Sequence, residues 1–138
     1  MATQNDRTVF GALGESIAQQ YLIDEGYELE ARNWRGERGE LDLIVRQNDL
    51  LVVVEVRTTS QSWLDRPAEA TSLRKQKQVA RCADEYVSNR PKSLPKVLDI
   101  RFDIIGLLMP PLQDGQSLNQ PHPQIDHVEN AYSSPWAF

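Results

Sequence analysis

Three charged side chains stand in two otherwise largely apolar segments. Residues 40–46 carry Asp42, and residues 50–57 carry Glu55 and Arg57. An ionised carboxylate in an apolar setting is costly unless a cation compensates it, and two adjacent carboxylates repel each other. A divalent metal satisfies both demands, because Mg²⁺ prefers oxygen ligands and often takes one or two protein carboxylates. The pattern therefore predicts a metal site at Asp42 and Glu55.

A hairpin must bring these side chains together. Both segments alternate or run apolar as strands do, and the polar sequence between them is a turn of two or four residues. In that register Asp42 and Glu55 are neighbours or near-neighbours on one face, and Arg57 projects from the same face. A salt bridge from Arg57 to either carboxylate, without any chemistry, is the alternative at this point.

The remaining sequence supplies the elements around the hairpin. Apolar periodicity and Gly or Pro punctuation predict, in chain order, a helix over 10–26, strands over 27–33, 40–46 and 50–57, a helix over 71–89 and a strand over 97–108. Residues 109–124 are predicted to be an exposed loop, and residues 125–138 a late strand and tail, within one domain of residues 1–138. Three consecutive strands predict an antiparallel meander, and the second helix allows a crossover to a parallel neighbour. The fold class is therefore α/β with a mixed central sheet.

The same periodicity predicts which side chains face the core. Helical spacing assigns an inner face to both helices, and alternation places every second residue of a strand on one side. The predicted inner residues are Leu13, Ile17, Tyr21 and Leu22 in the first helix, Leu41, Leu43 and Val45 on one side of the second strand, and Leu73, Gln76, Val79, Ala80, Ala83, Tyr86 and Val87 in the second helix. Glu15 falls at the edge of the first helix's apolar stripe and is predicted to be half covered.

Composition excludes several classes of protein. The chain has 138 residues, of which 40% are hydrophobic and 25% charged, with one cysteine and two histidines. An internal disulfide and a Cys/His zinc site are excluded, and a reducing compartment is indicated. No segment resembles a signal peptide or spans a bilayer, so a cytoplasmic protein without membrane association is predicted.

The charge distribution qualifies the net charge of −5. Residues 66–101 hold nine Arg or Lys against four Asp or Glu, whereas both flanks are acidic. At 100° per residue, Arg74, Lys77 and Arg81 fall within about 60° on the outer face of the second helix. Such a basic stripe suits nucleic-acid phosphates, although a solubilising surface is the alternative.

The motifs together resemble a known nuclease superfamily. The stretches that carry the likeness are "GALGESIAQQYLIDEGYELEARNWR", "GELDLIVRQNDLLVVVEVR", "LRKQKQVARCADEYV" and "RFDIIGL". They resemble the restriction-endonuclease-like nucleases, with the motif PD-(D/E)xK, and within them the YraN-type family of endonuclease-like proteins. This resemblance implies a three-layer αβββαβ core, and it covers most of the chain.

The resemblance also implies roles for particular residues. Asp42 and Glu55 would hold Mg²⁺ or Mn²⁺, and Glu15 would be an outer ligand or a water-orienting group. The implied activity is metal-dependent hydrolysis of phosphodiester bonds in DNA, on branched or single-stranded structures. The implied nucleic-acid contacts come from the second helix; they are Arg74, Lys75, Lys77 and Arg81.

Arg57 departs from the family pattern, which usually has lysine at this position. Arginine stays protonated in proteins and cannot take a proton from water, although it can still donate to a phosphate. Lys75 could reach the site from the flank of the second helix. The alternative function is therefore a catalytically impaired nuclease fold that only binds nucleic acid. A homodimer through the hydrophobic tail is a further expectation.

Overall fold

The protein has one five-stranded mixed sheet with a helix packed on each face. A computed structural model describes residues 4–59, 71–109 and 123–133, with side chains from Val9 onward. Its elements are α1 (Gln4–Asp24), β1 (Glu28–Arg35), β2 (Glu40–Gln47), β3 (Leu50–Thr59), α2 (Leu73–Asn89), β4 (Asp99–Leu108) and β5 (Gln124–Tyr132). The strand order is β1-β2-β3-β4-β5, with β3 and β4 parallel and the other neighbours antiparallel. The predicted α/β class, the mixed sheet and the αβββαβ order are confirmed.

The two faces of the sheet bury separate apolar clusters. On the α1 side, Val52 and Val54 of β3 pack with Leu22, and on the α2 side, Leu51 and Val53 pack with the inner face of the second helix. A strand buried on both faces accounts for the continuous apolar run in β3. The sheet is therefore the middle layer of three.

Helix α1 packs on the sheet along a line of buried residues, of which the first two are small. Gly14, Ala18 and Leu22 are buried at intervals of four residues, whereas Leu13 is exposed. The prediction that Leu13 faces the core is wrong, because Gly14 and Ala18 allow the helix backbone to approach the sheet along the adjacent line. The helix ends at Asp24, and Gly26, two residues later, has a φ of 97°, a conformation that favours glycine.

Helix α2 begins later than predicted. Ser72 is its N-cap, and the Ser72 hydroxyl accepts a hydrogen bond from the backbone N–H of Lys75 at 3.2 Å. The buried residues of α2 are Val79, Ala80, Cys82, Ala83 and Tyr86. Leu73 is exposed, so its predicted place in the core is wrong; it is the first residue of the helix, six positions before Val79, where the buried face begins.

Side-chain alternation breaks at Asp42. Leu43 and Val45 belong to the α1 side as predicted, but Leu41 belongs to the cluster on the α2 side. The register places Asn33 of β1 opposite Asp42, and Asn33 has a φ of 51°. This left-handed backbone conformation coincides with the break. The prediction that Leu41 shares a face with Leu43 is therefore wrong.

A buried charge network fixes β4 and β5. The Asp103 carboxylate accepts two hydrogen bonds from Arg101, both at 2.8 Å, and one from the backbone N–H of Asn130 at 2.9 Å. His127 Nε2 lies 2.8 Å from the same carboxylate, and its Nδ1 lies 3.0 Å from the Tyr21 hydroxyl. The network pairs Arg101 with Asp103 and gives His127 a packing role.

A second buried network holds the end of α2. The side chain of Glu30 is 3% exposed and lies between Arg46 at 3.1 Å and Arg90 at 2.5 Å. The Tyr86 hydroxyl donates to the same carboxylate at 2.8 Å. These partners hold the pKa of Glu30 below its ordinary value, even though burial acts in the opposite direction.

Parts of the predicted C-terminal region lie outside the described residues. The predicted loop over 109–124 falls mostly within residues 110–122, and the predicted tail falls on 134–138; both ranges are outside. Within the ranges given above, neither helix is long and apolar enough to cross a bilayer.

Candidate active site

The β2–β3 hairpin places Asp42 and Glu55 side by side. The paired residues of the hairpin end at Leu43 and Val54, and Asp42 and Glu55 lie next to this pair on the two strands. A cleft at the N-terminus of α2 contains both carboxylates; its other lining residues are Val56, Arg57, Thr71, Ser72 and Lys75.

Burial dominates the electrostatic environment of Asp42. Burial, followed by the charges of Glu15 and Glu55, raises its pKa to about 6, although a hydrogen bond from Val56 and the charge of Lys75 act against this. That hydrogen bond runs from the Val56 N–H to Asp42 Oδ2 at 2.9 Å. Asp42 has no ion pair with any residue that the structure describes. A bound cation would stabilise its ionised form.

Glu55 is compensated within the chain. Arg57 Nε donates to Glu55 Oε2 at 2.6 Å, and Lys75 Nζ lies 3.9 Å from Glu55 Oε1. Arg57 also donates from Nη2 to the Thr71 hydroxyl at 2.5 Å. The salt bridge from Arg57 to a carboxylate, which was the alternative to a metal site, therefore forms at Glu55 and involves one of its oxygens. Asp42 has no such partner among the described residues.

Glu15 approaches the same region from α1. A Cβ at Gly14 would lie 2.1 Å from the Thr58 hydroxyl, so α1 touches β3 just beyond Arg57 only because this residue is glycine. Glu15 Oε2 is buried and has no hydrogen-bond partner in the described part of the chain. Arg32 Nε is 3.6 Å away, which is ion-pair distance but too long for a hydrogen bond. Glu15 therefore retains an unsatisfied buried oxygen.

These groups fit a cation held by two carboxylates. An uncompensated Asp42, an adjacent Glu55 and a buried, unsatisfied oxygen on Glu15 favour a positive ion with water ligands. Across residues 4–59, 71–109 and 123–133, no three His, Cys, Asp or Glu side chains are grouped closely enough to bind one ion together. The described geometry therefore fits Asp42 and Glu55 as ligands and Glu15 as an outer group.

The predicted basic residues divide into two sets. Arg74, Lys77 and Arg81 line a surface depression together with Arg38 from the β1–β2 turn. Lys75, in contrast, lines the cleft of the carboxylates. We call the first set, with Arg38, the basic surface.

Two residues of the cleft were not assigned from the sequence. Thr71 and Ser72 line the cleft because α2 begins there; the N-cap preference of serine was the available signal.

Comparison with known proteins places the chain in a family. Residues 14–107 match the family described as "Uncharacterised protein family UPF0102", a range that includes Glu15, Asp42, Glu55, Arg57 and Lys75. A UPF0102 protein of Porphyromonas gingivalis is 38% identical over 96% of this chain and 87% of its own length. Others, from Rhodococcus jostii and Parabacteroides distasonis, are each 36% identical, over 88% and 98% of this chain and 94% and 98% of their own lengths. The chain therefore belongs to the UPF0102 (YraN) family.

Proposed function

We propose that the protein is a metal-dependent nuclease that hydrolyses phosphodiester bonds of DNA. The observation that carries this proposal is the pairing of Asp42, whose charge is uncompensated, with Glu55 in an open cleft. The family description names no activity, and a fold by itself supports many functions. The proposal therefore rests on the cleft and on the sequence resemblance.

In the proposed reaction, Asp42 and Glu55 hold Mg²⁺ or Mn²⁺ and Glu15 orients water through its unsatisfied oxygen. The ion, when bound, makes water a better nucleophile and screens charge on the phosphoryl oxygens. The water oxygen forms a bond to phosphorus, the bond from phosphorus to the leaving oxygen breaks, and one water hydrogen ends on the leaving hydroxyl. Cationic side chains in the cleft stabilise the charge of the transition state.

The basic surface supports DNA as the substrate. Arg38, Arg74, Lys77 and Arg81 present four positive charges beside the cleft, although the chain as a whole carries −5. Contacts of this kind bind phosphates and position a duplex or a single strand without reading its sequence.

One observation favours a second candidate, a nucleic-acid-binding module without catalysis. Arg57 Nε occupies Glu55 Oε2 at 2.6 Å, which competes with a metal for that oxygen. A module of this kind would use the basic surface and leave the carboxylates uninvolved.

Metal titration followed by a cleavage assay distinguishes the two. We expect Mn²⁺ binding by calorimetry and Mn²⁺-dependent cleavage of single-stranded or branched DNA, both lost in Asp42→Asn. The matched control is Asp84→Asn, which removes an exposed carboxylate from α2 and should change neither. Salt-sensitive DNA binding without metal binding or cleavage, unchanged by Asp42→Asn, would establish the binding module and exclude the nuclease.

A further inference from the structure

We infer that Lys75 binds the scissile phosphate, whereas Arg57 serves as the counter-ion of Glu55. This inference rests on the proposed function, because it names the residue of the same cleft that recognises the substrate's reacting group. The phosphate-binding role that the family motif places at residue 57 of β3 is thereby given to a lysine of α2.

Lys75 reaches the carboxylate pair from the opposite wall of the cleft. Its Nζ lies 3.9 Å from Glu55 Oε1, too far for a hydrogen bond but within ion-pair distance. The Lys75 side chain is 46% exposed, so the ammonium can meet a ligand that enters from solvent. A lysine ammonium has three N–H donors, so it can bind the oxygens of a phosphate that lies next to a carboxylate-bound metal ion.

Arg57 is placed differently. Its side chain is 29% exposed, and it donates to Glu55 at 2.6 Å and to Thr71 at 2.5 Å. Turning toward a phosphate would break both of these hydrogen bonds and remove the compensating charge from Glu55. Arg57 is therefore placed to stabilise the cleft through Glu55 and Thr71, and Lys75 is placed to contact the substrate.

The position of Lys75 in α2 is unfavourable for the isolated helix. With Ser72 as the N-cap, Lys75 is the third residue of a 17-residue helix, and the first turn contains no acidic residue. Cations at a helix N-terminus oppose the helix dipole. A phosphate beside Lys75 would be attracted by the ammonium and by the helix end together.

Lys75 is also separate from its basic neighbours in sequence. Arg74 and Lys77 line the basic surface with Arg38, whereas Lys75 lines the cleft with Asp42. Lys92 is the matched control, because it is an exposed lysine beyond the C-terminal end of α2 that lines neither the cleft nor the basic surface.

Phosphate binding tests the inference without any catalytic readout. Inorganic phosphate is titrated into the protein in the presence of Mg²⁺ and followed by the amide shifts of the first turn of α2 in NMR spectra. We expect Lys75→Met to weaken binding by about tenfold, in line with one lost charge-assisted contact, and Lys92→Met to leave it unchanged. Equal phosphate affinity in Lys75→Met and the native protein would overturn the inference.

A cleavage assay is the second test of the inference. We expect Lys75→Met to slow Mn²⁺-dependent cleavage by about 10²-fold or more, which is the usual effect of removing one donor to the transition state. The double variant Arg57→Lys/Lys75→Met should recover part of that lost rate. Native-like cleavage by Lys75→Met would also overturn the inference. If the native protein cleaves nothing but still binds phosphate through Lys75, the nuclease proposal fails and the phosphate site stands.

Discussion

Replacing Asp42 with asparagine should stabilise the metal-free protein at neutral pH. Burial and the nearby carboxylates raise the pKa of Asp42 from 3.8 to about 6. The folded state therefore holds this proton more tightly than the unfolded state does, so Asp42 stabilises the fold below pH 4, and this contribution is lost as the pH rises through 6. Asparagine has the shape of the neutral acid and keeps an oxygen that can accept the hydrogen bond from Val56.

The magnitude follows from the shift in pKa. A rise of about two units corresponds to roughly 3 kcal/mol between the protonation states, at about 1.36 kcal/mol per unit. Water in the cleft reduces the net figure. We therefore expect Asp42→Asn to be more stable than the native protein by about 1–3 kcal/mol at pH 8, and equal to it within about 0.5 kcal/mol at pH 4.

Urea unfolding of both proteins, with EDTA present, measures this difference between pH 4 and pH 8. Asp84→Asn is the matched control, because its exposed carboxylate should give a nearly constant difference across the same range. A loss of stability in Asp42→Asn that is the same at every pH would refute the reasoning, since Asp42 would then act as a satisfied structural group.

Three further predictions concern the scaffold and the metal. Glu30→Ala should lower the free energy of unfolding by about 3–5 kcal/mol, because it removes the carboxylate that two largely buried arginines share. Glu28→Ala, at a side chain that is 73% exposed, should lower it by less than about 1 kcal/mol. Similar losses for the two variants in urea unfolding would contradict this prediction. Gly14→Ala should destabilise by about 1–3 kcal/mol despite the better helix propensity of alanine, because its Cβ would overlap Thr58, and an unchanged melting curve would argue against that contact. Mn²⁺ affinity, measured by calorimetry, should fall about tenfold per pH unit below pH 6 as Asp42 takes up its proton, and affinity that is constant from pH 5 to pH 8 would rule out Asp42 as a ligand.

The element order was predictable because local signals mark each boundary. Gly26 follows the end of α1, the polar turn sets the hairpin register, and Ser72 caps α2. The proximity of Asp42 and Glu55 was predictable from that register, whereas the break in side-chain alternation at Asp42 was not. Residues adjacent in one hairpin are the case in which sequence periodicity translates most directly into spatial proximity.

Other features depend on contacts that periodicity does not encode. Leu13 fits the apolar stripe of α1, yet the close approach at Gly14 turns it to solvent. Leu41 fits the alternation of β2, yet the backbone of Asn33 on the neighbouring strand coincides with its change of face.

The division of the basic residues of α2 was predictable from helical geometry. At 100° per residue, Arg74 and Lys77 fall on the outer face, whereas Lys75 falls on the flank nearer the apolar face. The placement of α2 against the β2–β3 hairpin then sets which surface each residue lines.

The most direct measurement of the central claim is the anomalous density of Mn²⁺ soaked into crystals of this protein. We predict one peak within about 2.0–2.3 Å of a carboxylate oxygen from both Asp42 and Glu55, absent from crystals of Asp42→Asn. Crystals that take up Mn²⁺ elsewhere but not between these two residues would contradict the claim that the hairpin is a metal centre.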